Sequence, residues 1–306
     1  MTTTTTTDPL ATFTADIAPR PVPEALVAAR RDVMAAVRDL ASLTDADLPT
    51  EWAWIGESED EIRYGFYRIL EIFERAGIDA AAAVRAAASD RGRAADLIAP
   101  ATAARWDLQG LLLPLSDAAW DTDPGGGEWT VRQTLGHVIG GQRGYGAATA
   151  WWQAQGLPAT DALPRVRPPF WAELPEDEEE AAGTPADVRA RLDELLDLST
   201  ERLAGLPAER LALGARWAGF AVDIGLRIGR WSSHVREHAI QVEKTMVMIG
   251  HAPTEVDRLI RLVLAEWGRA EQVVYGSASE AGLRELATAA AAAGKTAAEL
   301  VEIVRP

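Results

Sequence analysis

Apolar side chains recur at intervals of three and four residues along most of the chain, which is the period of an amphipathic α-helix. Between residues 24 and 43 the pattern includes Leu26, Val33, Val37 and Leu40. The alternation of apolar and polar residues that marks a half-buried strand is almost absent. The chain is therefore predicted to be all-α.

Further helical segments are separated by loops and capping residues. Long helices are predicted over about residues 95–116, 131–155, 185–204, 222–250 and 255–276. The Pro-rich residues 158–175 and the charge run 176–180 make a long connection, which in helical bundles usually forms a crossover or a lid. From residue 95 onward we predict a four-helix bundle with a long second connection.

The remaining segments flank this bundle, which we assign to residues 93–276. Residues 1–9 are polar and threonine-rich and are predicted to be a disordered tail. Residues 10–92 are predicted to be an N-terminal helical extension, either a small separate domain or extra helices packed on the bundle. One of its helices is predicted to end near Gly77, because glycine commonly follows a helix C-terminus. Residues 277–306 are predicted to form two short Ala-rich helices.

Charge and cysteine content exclude several classes of function. The formal net charge is −16, which argues against non-specific binding to nucleic acid and to anionic membranes. No apolar run has the length of a membrane span, and the N-terminus lacks the pattern of a signal peptide, so we expect a cytoplasmic protein. The chain contains no cysteine, which rules out disulfides, thiolate metal sites and a cysteine nucleophile.

Three of the four histidines are placed as metal ligands would be. His234 and His238 are four residues apart on one predicted helix, so both imidazoles face the same side. His137 lies in the second turn of another long helix, and two helices of a bundle can aim three histidines at one point. Three neutral imidazoles leave an open coordination position, which is typical of catalytic rather than structural sites. The alternative is that they are ordinary surface or core histidines.

The residues around these histidines suggest a pocket. Glycine inside a helix is unfavourable relative to alanine, so several glycines on the helix of His137 indicate either a ligand cleft or close helix packing. Gln133 could orient an imidazole, while Trp231 and Gln241 flank the histidine pair. The candidate pocket residues are Gln133, Gly140, Gly141, Gly144, Trp231 and Gln241.

Two segments resemble the DinB/YfiT-like superfamily of metal-binding four-helix bundles, which includes the N-terminal domain of mycothiol-dependent maleylpyruvate isomerase. GEWTVRQTLGHVIGGQRGY (127–145) resembles its first ligand motif and RWSSHVREHAIQVEKT (230–245) its second. The resemblance covers about residues 95–275. It implies zinc or nickel held by His137, His234 and His238, a frequent homodimer, and joining of a low-molecular-weight thiol, here mycothiol, to an electrophile. The chain departs from some relatives, which have Glu in place of His234.

Three functions follow from these residues. The leading hypothesis is a metal-dependent thiol S-transferase whose partners are a small-molecule thiol and an electrophile. The second is a metal-dependent hydrolase, which a carboxylate in the cleft would favour; Glu237 and Glu243 are the nearest in sequence. The third is a non-catalytic, stress-related metal-binding module, which a site sealed by aromatic side chains would favour.

Overall fold

Helices dominate the computed structural model, which describes residues 8–54, 59–87, 91–277 and 279–305. The all-α prediction is confirmed. The α-helices are α1 (Pro9–Phe13), α2 (Glu24–Leu40), α3 (Ile62–Ala86), α4 (Arg93–Ile98), α5 (Pro100–Leu112), α6 (Asp117–Asp121), α7 (Val131–Gln155), α8 (Asp177–Glu180), α9 (Pro185–Leu203), α10 (Ile224–Met248), α11 (Glu255–Glu271) and α12 (Glu280–Val304). Two 3-10 turns span Trp171–Glu173 and Ala208–Ala212.

The predicted four-helix bundle is formed by α5, α7, α9 and α10. Helix α10 packs against both α5 and α7, and α9 packs against α7. The connection between α7 and α9 contains one 3-10 turn and α8. Helix α11 lies on α5 outside the four. Within the described ranges, no helix combines the length and apolar composition that crossing a membrane requires.

The terminal segments pack together beside the bundle. Helices α2 and α3 both contact α12, and α3 also contacts α11. The predicted tail falls largely outside the described residues, which begin at Asp8, and Pro9 already starts α1. The prediction of two short C-terminal helices is wrong, because α12 is continuous. Its apolar positions, from Leu283 and Leu286 to Leu300, form one buried stripe against α2 and α3.

The prediction that a helix ends near Gly77 is wrong, because Gly77 lies inside α3. A Cβ atom added there would be 3.3 Å from the Cα of Ala270 in α11. The glycine therefore allows two helix backbones to approach closely. Packing demand, rather than chain termination, explains this residue.

A buried ionic network joins the N-terminal extension to the bundle. Glu271 of α11 is fully buried and accepts hydrogen bonds from Arg30 of α2 at 2.6 Å and from Arg105 of α5 at 2.8 Å. Asp197 of α9 accepts from both arginines, at 2.6 and 2.9 Å. Burial opposes the ionisation of Glu271, but Arg30 and Arg105 outweigh it and lower the pKa of this carboxyl. Four helices thus share one set of compensated charges.

Two short hairpins were not predicted. Strands β1 (Glu51–Ala53) and β2 (Glu59–Glu61) pair antiparallel, as do β3 (Gly214–Trp217) and β4 (Phe220–Asp223). Ala218 and Gly219 link the second pair with φ of 44° and 88°, the positive values that a tight two-residue hairpin requires. This β3–β4 hairpin sits directly before α10 and places Trp217 against Tyr145 of α7.

Candidate metal centre

The three histidines are positioned by two long helices of the bundle. Helix α7 begins with a capping box, in which Thr130 and Gln133 satisfy each other's backbone N–H groups. His137 follows one turn after Gln133. His234 and His238 lie on α10, one turn apart, so their side chains point the same way.

The imidazoles converge as the spacing predicted. One ring nitrogen from each of His137, His234 and His238 lies within 4.8 Å of the others. The Nε2 atoms of His234 and His238 are 3.2 Å apart. Two nitrogens bound to a tetrahedral zinc ion lie about 3.3 Å apart, because each Zn–N bond is about 2.05 Å. The histidine pair therefore already has the separation that one ion requires.

The site also favours the neutral imidazoles that metal binding needs. His234 is buried, and burial together with His238 and His137 lowers its pKa to about 3. Burial likewise lowers the pKa of His238. A neutral imidazole keeps a lone pair for a metal ion, whereas an imidazolium does not.

Two side chains contact the Nδ1 atoms of the imidazole rings of His137 and His238. Asp177 places Oδ2 3.0 Å from Nδ1 of His137, and Gln241 places Oε1 2.8 Å from Nδ1 of His238. A ring that donates its Nδ1 hydrogen keeps Nε2 as the ligand atom, and such partners commonly fix the orientation of metal-binding histidines. The donor set and its supports therefore fit a divalent ion.

The glycines of α7 create space for this arrangement. A Cβ atom at Gly141 would lie 2.6 Å from Cε1 of His234, and one at Gly140 would lie 2.5 Å from Oδ1 of Asp177. At Gly144 it would be 3.2 Å from the indole of Trp171. These glycines allow close contacts with neighbouring side chains, and they also border an open cavity.

The histidine site faces a cavity of about 710 Å³. His137 and the three glycines line one side, and the connection between α7 and α9 lines the other. The connection contributes Arg167, Trp171, Glu176 and Asp177. Of the three histidines, His137 is the one that lines this metal-side cavity.

A second cavity of about 580 Å³ adjoins the first. Tyr145, Arg167, Pro168 and Trp171 line both. Tyr145 stands between them, with its ring 4.9 Å from that of His234 and 4.6 Å from that of Trp217. The far side of this hairpin-side cavity is formed by the β3–β4 hairpin and the start of α10.

Four other residues considered from the sequence lie away from the metal-side cavity. Gln133 is exposed, and its side chain accepts a hydrogen bond from the N–H of Thr130. Trp231 is fully buried in the core. Glu237 is paired with Arg230, and Glu243 with Arg261. None of the four lines this cavity.

The charge run at 176–180, which was predicted as part of a long connection, is mostly helical. It contains α8, which places Asp177 against His137 and buries Glu180 in ion pairs with Arg143 and Arg191. A capping box from Glu176 to Glu179 opens this helix. That pattern is visible in the sequence as Glu-x-x-Glu, but it does not reveal that Asp177 meets a residue 40 positions earlier.

These features define an all-α bundle protein whose candidate three-histidine metal centre opens into a cavity. Residues 101–242 match the family model of the DinB superfamily. This segment, which contains all three histidines, is therefore similar to the DinB superfamily.

One solved structure is similar to the chain, YfiT from Bacillus subtilis, described as a probable metal-dependent hydrolase with an unusual four-helix bundle topology. The two are 16% identical, with a TM-score of 0.38 and coverage of 68% of this chain and 100% of that one. No curated protein matches the chain significantly. The similarity to the DinB superfamily rests on the match over residues 101–242.

Proposed function

We propose that this chain is a metal-dependent thiol S-transferase that joins a low-molecular-weight thiol, such as mycothiol, to an electrophile. The observation that carries the proposal is the pair of adjoining cavities, of which the metal-side cavity is lined by His137. A transferase must hold two organic molecules at once, whereas a hydrolase holds one and water. Two chambers that share a wall suit the first requirement.

The chain's own residues would hold the metal ion and orient its ligands. His137, His234 and His238 would hold the ion, and Asp177 and Gln241 keep the rings of His137 and His238 oriented. A bound divalent ion would lower the pKa of a thiol at its open position, so that a thiolate is available near neutral pH. In the transfer, sulfur bonds to the electrophilic carbon, the leaving group departs with its electron pair, and the thiol proton passes to solvent.

Hydrolysis is a second candidate, and one observation favours it. Asp177 and Glu176 line the same cavity as His137, and a carboxylate there could accept a proton from water. However, Oδ2 of Asp177 lies against Nδ1 of His137, on the side of the ring opposite Nε2. This position suits orienting the imidazole better than acting at the open position.

A paired assay separates these functions. Zinc-loaded wild type and His234→Ala would be incubated with a panel of alkyl and aryl halides, epoxides and esters, with and without mycothiol or another small thiol. Turnover that requires both zinc and thiol, and is lost in His234→Ala, is expected. Turnover of esters without thiol would assign hydrolysis instead. Zinc binding without either activity would refute both enzymatic functions.

Arg284→Ala is the matched control for handling and loading. Arg284 is an exposed residue of α12, and its Nη1 is 3.9 Å from Glu280. This variant is expected to behave as wild type in every assay. Cobalt-loaded protein gives a second measurement, because its absorption should change on adding thiol but not on adding the corresponding alcohol.

A further inference from the structure

The hairpin-side cavity is cationic in an otherwise acidic protein. The chain carries 46 acidic and 30 basic side chains, yet this cavity is lined by four arginines and by no carboxylate. The four are Arg165, Arg167, Arg216 and Arg227. Its other lining residues are mainly aromatic and aliphatic, including Trp152, Trp171 and Trp217. Such a lining matches a molecule with an apolar body and a negative end.

Arg227 is the innermost of these cations. Only 4% of it is exposed. It donates to Oγ1 of Thr149 at 3.3 Å and to the carbonyl oxygen of Arg216, and its guanidinium lies 5.4 Å from the ring centre of Trp217. None of its neighbours in the described part of the chain is an ion-pair partner, and its Nη2 makes no hydrogen bond there. A buried charge without a counterion is unfavourable.

Burial lowers the pKa of Arg227 to about 10, which still leaves the side chain charged at neutral pH. By contrast, the buried Arg105 of the bundle core is compensated by Asp197 and Glu271. The protein therefore pairs one deeply buried arginine internally and leaves the other facing a cavity. An anionic ligand would supply the missing counterion.

We propose that the hairpin-side cavity binds the carboxylate end of an apolar, preferably aromatic, substrate, with Arg227 as the principal ligand of the carboxylate. A single buried guanidinium balances one negative charge, which favours a carboxylate over a doubly charged phosphate. Trp217 and Trp171 provide flat walls for the apolar part. Arg165 and Arg167, which are exposed at this cavity, would attract the anion towards it.

The proposal deepens the proposed function, and in that respect rests on it, because it specifies the electrophile. Arg227 and His234 are seven residues apart on α10, which is about 10 Å along the helix axis. Tyr145 lines both the hairpin-side and the metal-side cavity. The substrate would therefore carry its carboxylate on the order of 10 Å from the atom that reacts at the metal centre, in keeping with this axial separation.

Binding can be tested without any catalytic step. The full chain would be titrated calorimetrically with benzoate, 3-phenylpropionate and 4-phenylbutyrate, each compared with its primary amide, and with phenyl phosphate. The protein would be used both zinc-loaded and after removal of zinc with a chelator. Titration of the zinc-free protein prevents a carboxylate bound to the metal from being mistaken for one bound to Arg227.

At least one carboxylate is expected to bind about tenfold or more tightly than its amide, in zinc-free protein as well. Arg227→Met should remove this preference, and Arg227→Lys should retain part of it, because the charge remains without the planar fork. Arg167→Ala, on the exposed connection, should weaken binding by a smaller factor. Arg284→Ala should match wild type.

Equal binding of acid and amide throughout the series would overturn the proposal, as would an unchanged preference in Arg227→Met. Tighter binding of phenyl phosphate than of every carboxylate would overturn the assignment of the anion. If Arg227→Met does not fold, Arg227→Lys and Arg167→Ala decide, and no effect in either would count against the proposal. If the wild-type chain proves unable to bind zinc but still prefers the carboxylate to its amide, only the proposed metal-dependent function is refuted.

Discussion

Replacing Gly141 with alanine tests how the two helices of the metal centre depend on each other. The added methyl group would stand 2.6 Å from Cε1 of His234, about 1 Å closer than an ordinary carbon–carbon contact of about 3.5–4.0 Å. His234 is 4% exposed, so the ring has little free space. It must move by about 1 Å, and metal–ligand distances tolerate only about 0.2 Å.

We therefore expect Gly141→Ala to lower zinc affinity by more than about 100-fold, which exceeds the 10–100-fold cost of losing an orienting partner. Zinc affinity would be measured by competition with a chromogenic chelator. The matched control is Gly294→Ala, which lies inside α12 with no atom within 4 Å of the new methyl group. That control should keep full zinc affinity and gain up to about 1 kcal/mol of stability.

The metal-free Gly141→Ala protein should remain folded, because the unfavourable contact is offset by the higher helix propensity of alanine, about 1 kcal/mol. Its circular dichroism spectrum should match that of wild type. Zinc affinity within threefold of wild type would refute the reasoning, since it would show that the His234 ring is not confined by the backbone of α7.

Three further predictions concern charges. Asp177→Ala should weaken zinc binding about tenfold. The control is Glu178→Ala, because Glu178 is exposed in the same helix α8, and it should leave zinc binding unchanged. Equal effects of the two variants in the chelator competition would contradict the role of Asp177. Glu271→Ala should lower the free energy of unfolding in urea by about 3–5 kcal/mol, because buried arginines lose a partner, while the exposed Glu285→Ala should change it little. Burial opposes the ionisation of Asp197, but Arg105 and Arg30 lower its pKa to about 2. The ionised carboxylate should therefore contribute about 2 kcal/mol of stability above pH 4, which is lost as the pH falls towards 2. Asp197→Asn should not show this loss in acid unfolding.

The helices and the three histidines could be predicted because their signals are local. Apolar periodicity identifies a helix within one segment, and the i, i+4 spacing of His234 and His238 fixes their common face. The capping box at Thr130 and Gln133 marks where α7 begins. It also places Gln133 at the cap, so this side chain does not orient an imidazole as predicted.

The supporting residues could not be predicted because their partners are distant in sequence. Asp177 meets His137 across 40 positions, in a stretch whose composition resembles a solvated loop. Gln241 could be found, because it lies one turn from His238 on the same helix. The helix end near Gly77 and the two short C-terminal helices were predicted wrongly for a related reason. Glycine alone does not tell a helix end from a close packing contact.

Helix α10 relates the two halves of the candidate active site. Arg227, Trp231, His234 and His238 are spaced by four, three and four residues, so they follow one face of this helix. Trp231 is buried in the core between the others and anchors that face. The separation between the anion-binding arginine and the metal ligands is therefore set by a rigid helix, whereas the opposite wall belongs to the connection that carries Arg167. Changes in this connection should alter which apolar groups fit, while the length of the substrate stays fixed by α10.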